Sequence, residues 1–266
     1  DAASNAVAAA AYDEAAAALR RADTAAYVYP PSALHCTVAT LSSFKKPGAT
    51  LGVATPDEAA ALKRAWARAL RTHLRAEAAE GPITLTAESL ELSPAAGFIM
   101  YSNPSGRVKA LRAAVRAALE DVLADPAVAA LDARTGGAVR ESLQVPDIIH
   151  STIVRFAAPL QDPAAFRAAF AKAAAAWAPC TVTVDAVALA LEPVAYMHAD
   201  PATAAILYQP LSEGGFEAVL RMPTEGGDRD EGLTLSAVLP TLAALAGVVL
   251  AFGAIAAALS DLNNER

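Results

Sequence analysis

The chain has 266 residues, is 55% hydrophobic but only 6% aromatic, and carries a net charge of −7. Residues 1–212 hold 20 acidic and 18 basic residues and residues 213–266 hold 8 and 3, so the acidity is mostly tail and the body lacks the basic footprint of a tight polyanion binder. The length allows one large domain or two small ones, and two cysteines, Cys36 and Cys180, are too few for a disulfide framework.

The chain begins at Asp1 without an initiator Met, as expected of a form from which a targeting segment has been removed. Residues 1–27 hold an alanine-rich helix over about Asn5–Arg21, with Ser4 as its N-cap and Tyr12 and Leu19 as its large apolar residues. Pro30-Pro31 ends the approach to Leu34–Leu41, an apolar, β-branched run that reads as a strand. It contains His35-Cys36-Thr37-Val38. Residues i and i+2 of a strand share a face, so His35 and Thr37 project together while Cys36 and Val38 point the other way.

A polar loop, Ser42–Thr55, carries Lys45-Lys46, which reads first as a solvated pair and second as a phosphate-attracting pair at the cleft mouth. Thr55-Pro56-Asp57-Glu58 is a capping box that opens a helix to about Glu80. His73 lies on that helix among Arg71, Arg75 and Glu77, on a solvated face. Ile83–Leu92 and Phe98–Tyr101 read as strands separated by a turn. Ser105–Leu123 is a helix, with Val108, Leu111, Val115, Leu119 and Val122 forming an apolar stripe. Ala124–Gln144, with Asp125-Pro126 and Gly136-Gly137, reads as a connection between halves.

The run Val145–Phe156 is a second strand, containing His150-Ser151-Thr152-Ile153. The same alternation puts His150 and Thr152 on one face. Arg155, five residues after His150, would share that face only if the strand ends or bulges. Afterwards the order of the first half returns: a helix from Asp162-Pro163 to about Trp177, a strand Thr181–Leu191, a break at Glu192-Pro193, and a strand Ala204–Leu211.

Two copies of His-x-Thr-aliphatic, 115 residues apart, each in a strand-like run and followed by similar elements, are a specific signal. The pair resembles the signature of the 2H phosphoesterase family, over about Leu34–Leu211. The resemblance implies an α+β, two-lobed, duplicated fold with antiparallel sheets around a central cleft, occupying residues 28–212 with lobes of about 28–125 and 140–212. It also implies action on 2′,3′-cyclic phosphates or 2′-5′ linkages of nucleotides or RNA ends. Histidine titrates near neutral pH, so His35 and His150 can divide general-base and general-acid work across a phosphodiester. The Thr37 and Thr152 hydroxyls can hold its non-bridging oxygens. No cofactor is needed for this chemistry, and neither histidine has a carboxylate cluster at metal-ligand spacing. Tyr29, Tyr101 and Tyr196 are available to stack a base or to pack in the core.

Residues 213–231 form an acidic linker, and 261–266 a short tail. Between them, residues 232–260 hold no charge, which is length enough for a transmembrane helix, since ~20 residues cross a bilayer. Small residues such as Gly247 and Gly253 suit helix packing. The expectation is a single-pass protein of an organellar membrane, mitochondrial or plastid, contacting lipid through 232–260. A second reading is a non-catalytic 2H-like accessory subunit of a membrane complex, with partner subunits around the membrane helix.

Overall fold

The computed structural model describes residues 2–42, 54–156, 158–191, 205–210 and 246–252. The elements are α1 (Ala2–Ala22), β1 (Ala26–Val28), β2 (His35–Ser42), α2 (Pro56–Ala79), β3 (Ile83–Leu92) and β4 (Ala96–Ser102). They continue with α3 (Arg107–Leu123), α4 (Pro126–Arg134), α5 (Ala138–Ser142), β5 (Ile149–Phe156), α6 (Pro163–Ala176), β6 (Cys180–Leu191), β7 (Ala205–Pro210) and β8 (Ala246–Phe252). The architecture is α+β, a curled half-barrel of antiparallel strands with helices packed on it.

Local chemistry sets the helix ends. The capping box closes reciprocally: Glu58 N–H donates to Thr55 Oγ1 at 3.3 Å and Thr55 N–H donates to Glu58 Oε2 at 2.7 Å. Asp162 caps α6 by accepting from Ala165 N–H at 2.9 Å, and Pro163 follows at the first turn. All five apolar stripe residues of α3 are buried. The connection Ala124–Gln144 is more ordered than its turn residues suggest. Asp125 caps α4 through Ala127 and Val128 N–H, and Gly136 and Gly137, at φ of 69° and 90°, take the left-handed turn into α5.

Strand order in the sheet is β1-β5-β4-β3-β6-β8-β2, with β7 also paired to β6. The expected succession of motif strand, helix, strand and strand recurs as β2-α2-β3-β4 and β5-α6-β6-β7. The two halves do not build separate sheets, however. The strand β5 pairs with β4 of the first half, and β3 pairs with β6 of the second, so the strands join one eight-stranded sheet. Turn signals and periodicity give the order of strands; pairing is decided by which edges meet in three dimensions, here β3 against β6.

A second difference lies in the apolar C-terminal run. Residues 246–252, placed by sequence within a membrane helix over 232–260, form β8 between β2 and β6. Period alone cannot separate a buried strand from a buried helix in such a run, and Val248 and Val249 are β-branched. The rest of 232–260, the linker 213–231 and the tail 261–266 lie outside the described residues, as do Lys45, Lys46 and Tyr196. Among the described residues no helix is long and apolar enough to cross a membrane.

On one face the sheet buries Ile83, Leu85, Ile99, Ile153 and Val182 beneath α1 and α6. The alanines of α1 bury little area each and leave a small cavity of about 50 Å³ against the sheet, lined by Ala8, Tyr12, Leu34, Tyr101 and Trp177 among others. Tyr12, Ala15, Ala16 and Leu19 bury the inner face of the helix, and polar contacts add to that packing. Tyr12 donates to the Tyr29 carbonyl at 2.5 Å, and Asn5 exchanges two hydrogen bonds with the Thr183 backbone. Asp23, just past its end, accepts from Ala25, Gln161 and Asp162 N–H and so ties α1 to the β5–α6 connection.

Close packing under α6 requires glycine at one position. A Cβ on Gly97 would lie 2.6 Å from Phe170 Cε2 and 2.7 Å from Val154 Cγ1. Both neighbours are buried, at 3% and 0% exposure, so neither has room to yield. Gly97→Ala is expected to cost about 1–3 kcal/mol through overpacking, read as a lowered urea midpoint at unchanged slope. An unchanged midpoint would show that α6 is not seated on β4 in this way.

Candidate active site

The alternation expected of the motif strands is present in both. In β2, Cys36 and Val38 are buried while His35 and Thr37 are half-buried; in β5, Ser151 and Ile153 are buried while His150 and Thr152 are half-buried. The inward set is what joins the strands. Ser151 Oγ donates to the His35 carbonyl at 2.8 Å and lies 3.5 Å from Cys36 Sγ. The two motifs are therefore in direct contact, although they lie 115 residues apart. The sheet curls far enough for β2, at one end of the strand order, to reach β5 near the other.

His150 titrates below the usual histidine range, first because burial disfavours the imidazolium, then because of His35, Arg155 and Arg112. His35 is lowered by burial and by Arg155, against a hydrogen bond to Ala33 that favours the charged form. That bond, Nδ1 to the Ala33 carbonyl at 2.9 Å, comes from the short turn Pro31–Ala33 ahead of β2. A carbonyl only accepts, so Nδ1 of His35 carries a proton and the neutral ring keeps its lone pair on Nε2. Nδ1 of His150 is buried and has no hydrogen-bond partner among the described residues. The Phe98 ring meets it T-shaped, the centroids 5.0 Å apart and the planes at 87°.

Arg155 reaches the same face by the bulge that the sequence left as a condition. Opposite β4, Gly97 pairs with Val154 and the next residue, Phe98, pairs with Thr152, so Ile153 is the extra residue. Ile153 and Val154 are both fully buried in succession, and the alternation restarts with Arg155 outward beside Thr152 and His150. Its charge contributes to the lowered pKa of both histidines. On β4 the cross-strand partner of His150 is Met100 and that of Thr152 is Phe98, which extends this face as an apolar floor.

Other candidates fall elsewhere. Tyr101 belongs to the opposite face, bonded to Ser151 and close to Cys36, with its hydroxyl pKa well raised by burial. Tyr29 is 2% exposed in the core. Cys36 is 1% exposed and its thiol is pushed up to about 12 by burial, which makes it an inert packing group. His73 sits on the outer surface of α2, its Nε2 2.8 Å from Asp121 on α3. Among the described residues no group of three or more His, Cys, Asp and Glu side chains could hold a metal ion.

Arg112 was not singled out by its sequence context, yet it lies under the site. Only 7% exposed, it donates to carbonyls of both motif segments. Its position within the α3 stripe, adjacent to Leu111, was the available signal: a charge on a buried helix face must have a special partner.

No family model, curated protein or solved structure matches the chain.

The lowered histidine pKa values fix a sign for stability. In the unfolded chain both rings take protons near pH 6.5; in the fold they resist protonation to lower pH. Between those limits the unfolded state binds more protons, so stability falls as pH drops below about 6.5 and is unaffected by these groups above it. The fall in urea midpoint from pH 7.5 to 5.5 is expected to be smaller in His35→Gln and in His150→Gln than in the parent protein. An equal fall in all three would show that the rings are not held neutral.

Proposed function

We propose that the protein is a phosphodiesterase of the 2H kind, opening 2′,3′-cyclic or 2′-5′ phosphodiesters of nucleotides or RNA ends by histidine acid–base catalysis. The observation that carries this reading is the direct contact of two His-x-Thr strands, each turning its histidine and threonine away from the buried residues between them. The bulge that adds Arg155 to that face supplies a cation for an anionic ester.

In this reading a water molecule attacks the phosphorus of a cyclic phosphate. One histidine takes the water proton, one ring P–O bond breaks, and the other histidine protonates the departing oxygen. His35 suits the base, since its Nδ1–H bond to Ala33 leaves Nε2 as the acceptor. His150, its ring packed T-shaped against Phe98, is then the acid. Thr37 and Thr152 bind the non-bridging oxygens and Arg155 offsets their charge. The residues that carry the reading lie between 35 and 155 and require no membrane anchor.

Purified protein given a nucleoside 2′,3′-cyclic phosphate in EDTA is expected to release the monophosphate. His35→Ala and His150→Ala should each remove roughly 10²–10⁴-fold of kcat, and the double variant should lose much less than the product of the two. Thr37→Val and Thr152→Val should lose less than either histidine variant. Arg155→Ala should lower kcat/KM by about 10–100-fold, the worth of one charge-assisted hydrogen bond. His73→Ala should leave kcat and KM unchanged. Absence of turnover across cyclic and 2′-5′ substrates by demonstrably folded protein would overturn the proposal and favour a non-catalytic, subunit role.

A further inference from the structure

The guanidinium of Arg112, on α3, is buried and has no carboxylate within ion-pairing distance among the described residues. It meets four backbone carbonyls instead. Nε donates to Val38 at 3.3 Å, Nη2 to Thr37 at 3.3 Å and to Ile148 at 2.7 Å, and Nη1 to Asp147 at 3.4 Å. Two of these acceptors immediately follow Cys36 in the first motif, and two immediately precede Ile149 and His150.

These carbonyls need a donor for an identifiable reason. In β2 the pairing with β8 steps from Thr37–Val249 to Ala39–Val248, so Val38 is the extra residue of a bulge. Asp147 and Ile148 lie just before the first residue of β5. A buried carbonyl without a donor is costly, and a guanidinium is the one side chain that fans donors across four. With four of its five N–H groups so engaged, Arg112 has little left for a substrate phosphate.

We propose that Arg112 is a positioning residue that fixes the spacing of the two motif strands, and with it the spacing of His35 and His150. It clasps the residues two and three after His35 to those two and three before His150. The inference rests on the phosphodiesterase reading only for its kinetic readout. The clasp itself is a statement about two imidazoles and is read without substrate.

The test uses Arg112→Lys, which keeps the charge but offers three donors from one nitrogen, and Arg112→Gln as a second variant should the first not fold. NMR titration of the His35 and His150 rings is the substrate-free arm. In the parent protein each ring is expected to sense the other's titration as a second inflection. The titratable and charged groups facing His150 are His35, Arg155 and Arg112, and those facing Arg112 are Cys36, Arg116 and Asp147, so the mutual inflection is assigned by repeating it in His35→Gln. In folded Arg112→Lys the mutual inflection should shrink or vanish. The kinetic arm expects kcat on a nucleoside 2′,3′-cyclic phosphate to fall about 10–100-fold with KM within about threefold, as for a misplacement of order 1 Å. Unchanged ring titrations in a folded variant would overturn the clasp whatever the kinetics. A parent protein without turnover, but with coupled titrations lost in the variant, would leave the clasp standing and remove the phosphodiesterase reading.

Discussion

The site depends on a hydrogen bond made behind it. Ser151 Oγ, fully buried, donates to the carbonyl of His35. Strands whose residues alternate can present a histidine and a threonine outward only if the residues between them are taken up inward, and here Ser151, Cys36, Ile153 and Val38 are. The bond is polar because a backbone carbonyl at the meeting of β2 and β5 needs a donor, and a serine is small enough to supply one within a packed core. The outward chemistry and the inward packing are thus one constraint, since a one-residue slip of either strand would exchange the two sets.

Much of this was legible from residue order. The two motif strands, their alternation, the capping box of α2, the apolar stripe of α3 and the Asp162-Pro163 start of α6 all follow from local chemistry, and the structure has each of them. The period-two spacing puts His35 with Thr37 and His150 with Thr152 on one face of their strands, and all four are half-buried in the structure. Features that sequence could not supply are those that depend on partners. Periodicity does not say that β5 adds to the β3–β4 hairpin, nor that β3 and β6 meet edge to edge to make one sheet. The run around Val248 has the composition of a membrane segment and of a buried strand alike, and β8 is held by hydrogen bonds to β2 and β6 rather than by any pattern of its own.

Arginine placement shows the same division. For Arg155 the count from His150 gave the wrong face for a regular strand, and the answer turned on a bulge at Ile153. That bulge lies opposite Gly97, where Val154 and Phe170 occupy the space a side chain would need. For Arg112 the stripe of α3 was readable, but the four carbonyls beneath it exist only once β2 has bulged and β5 has begun. In both cases irregular backbone determines where a cation sits, and irregular backbone is written in packing more than in residue type.

The two arginines also bear on how a pair of histidines held neutral can supply an acid. Burial and the neighbouring cations disfavour an imidazolium in the unliganded protein. A phosphodiester placed between the rings brings a negative charge to within hydrogen-bonding distance of both. At roughly 5 Å and an effective dielectric near 20, a unit charge pair is worth about 3 kcal/mol, or about two pKa units. That is enough to draw a proton onto one ring and to reverse much of the depression that burial imposes. Coulomb repulsion between the rings then keeps the second one neutral, so the doubly protonated and doubly neutral forms are both disfavoured in the complex. Under the phosphodiesterase reading the substrate itself creates the acid–base pair.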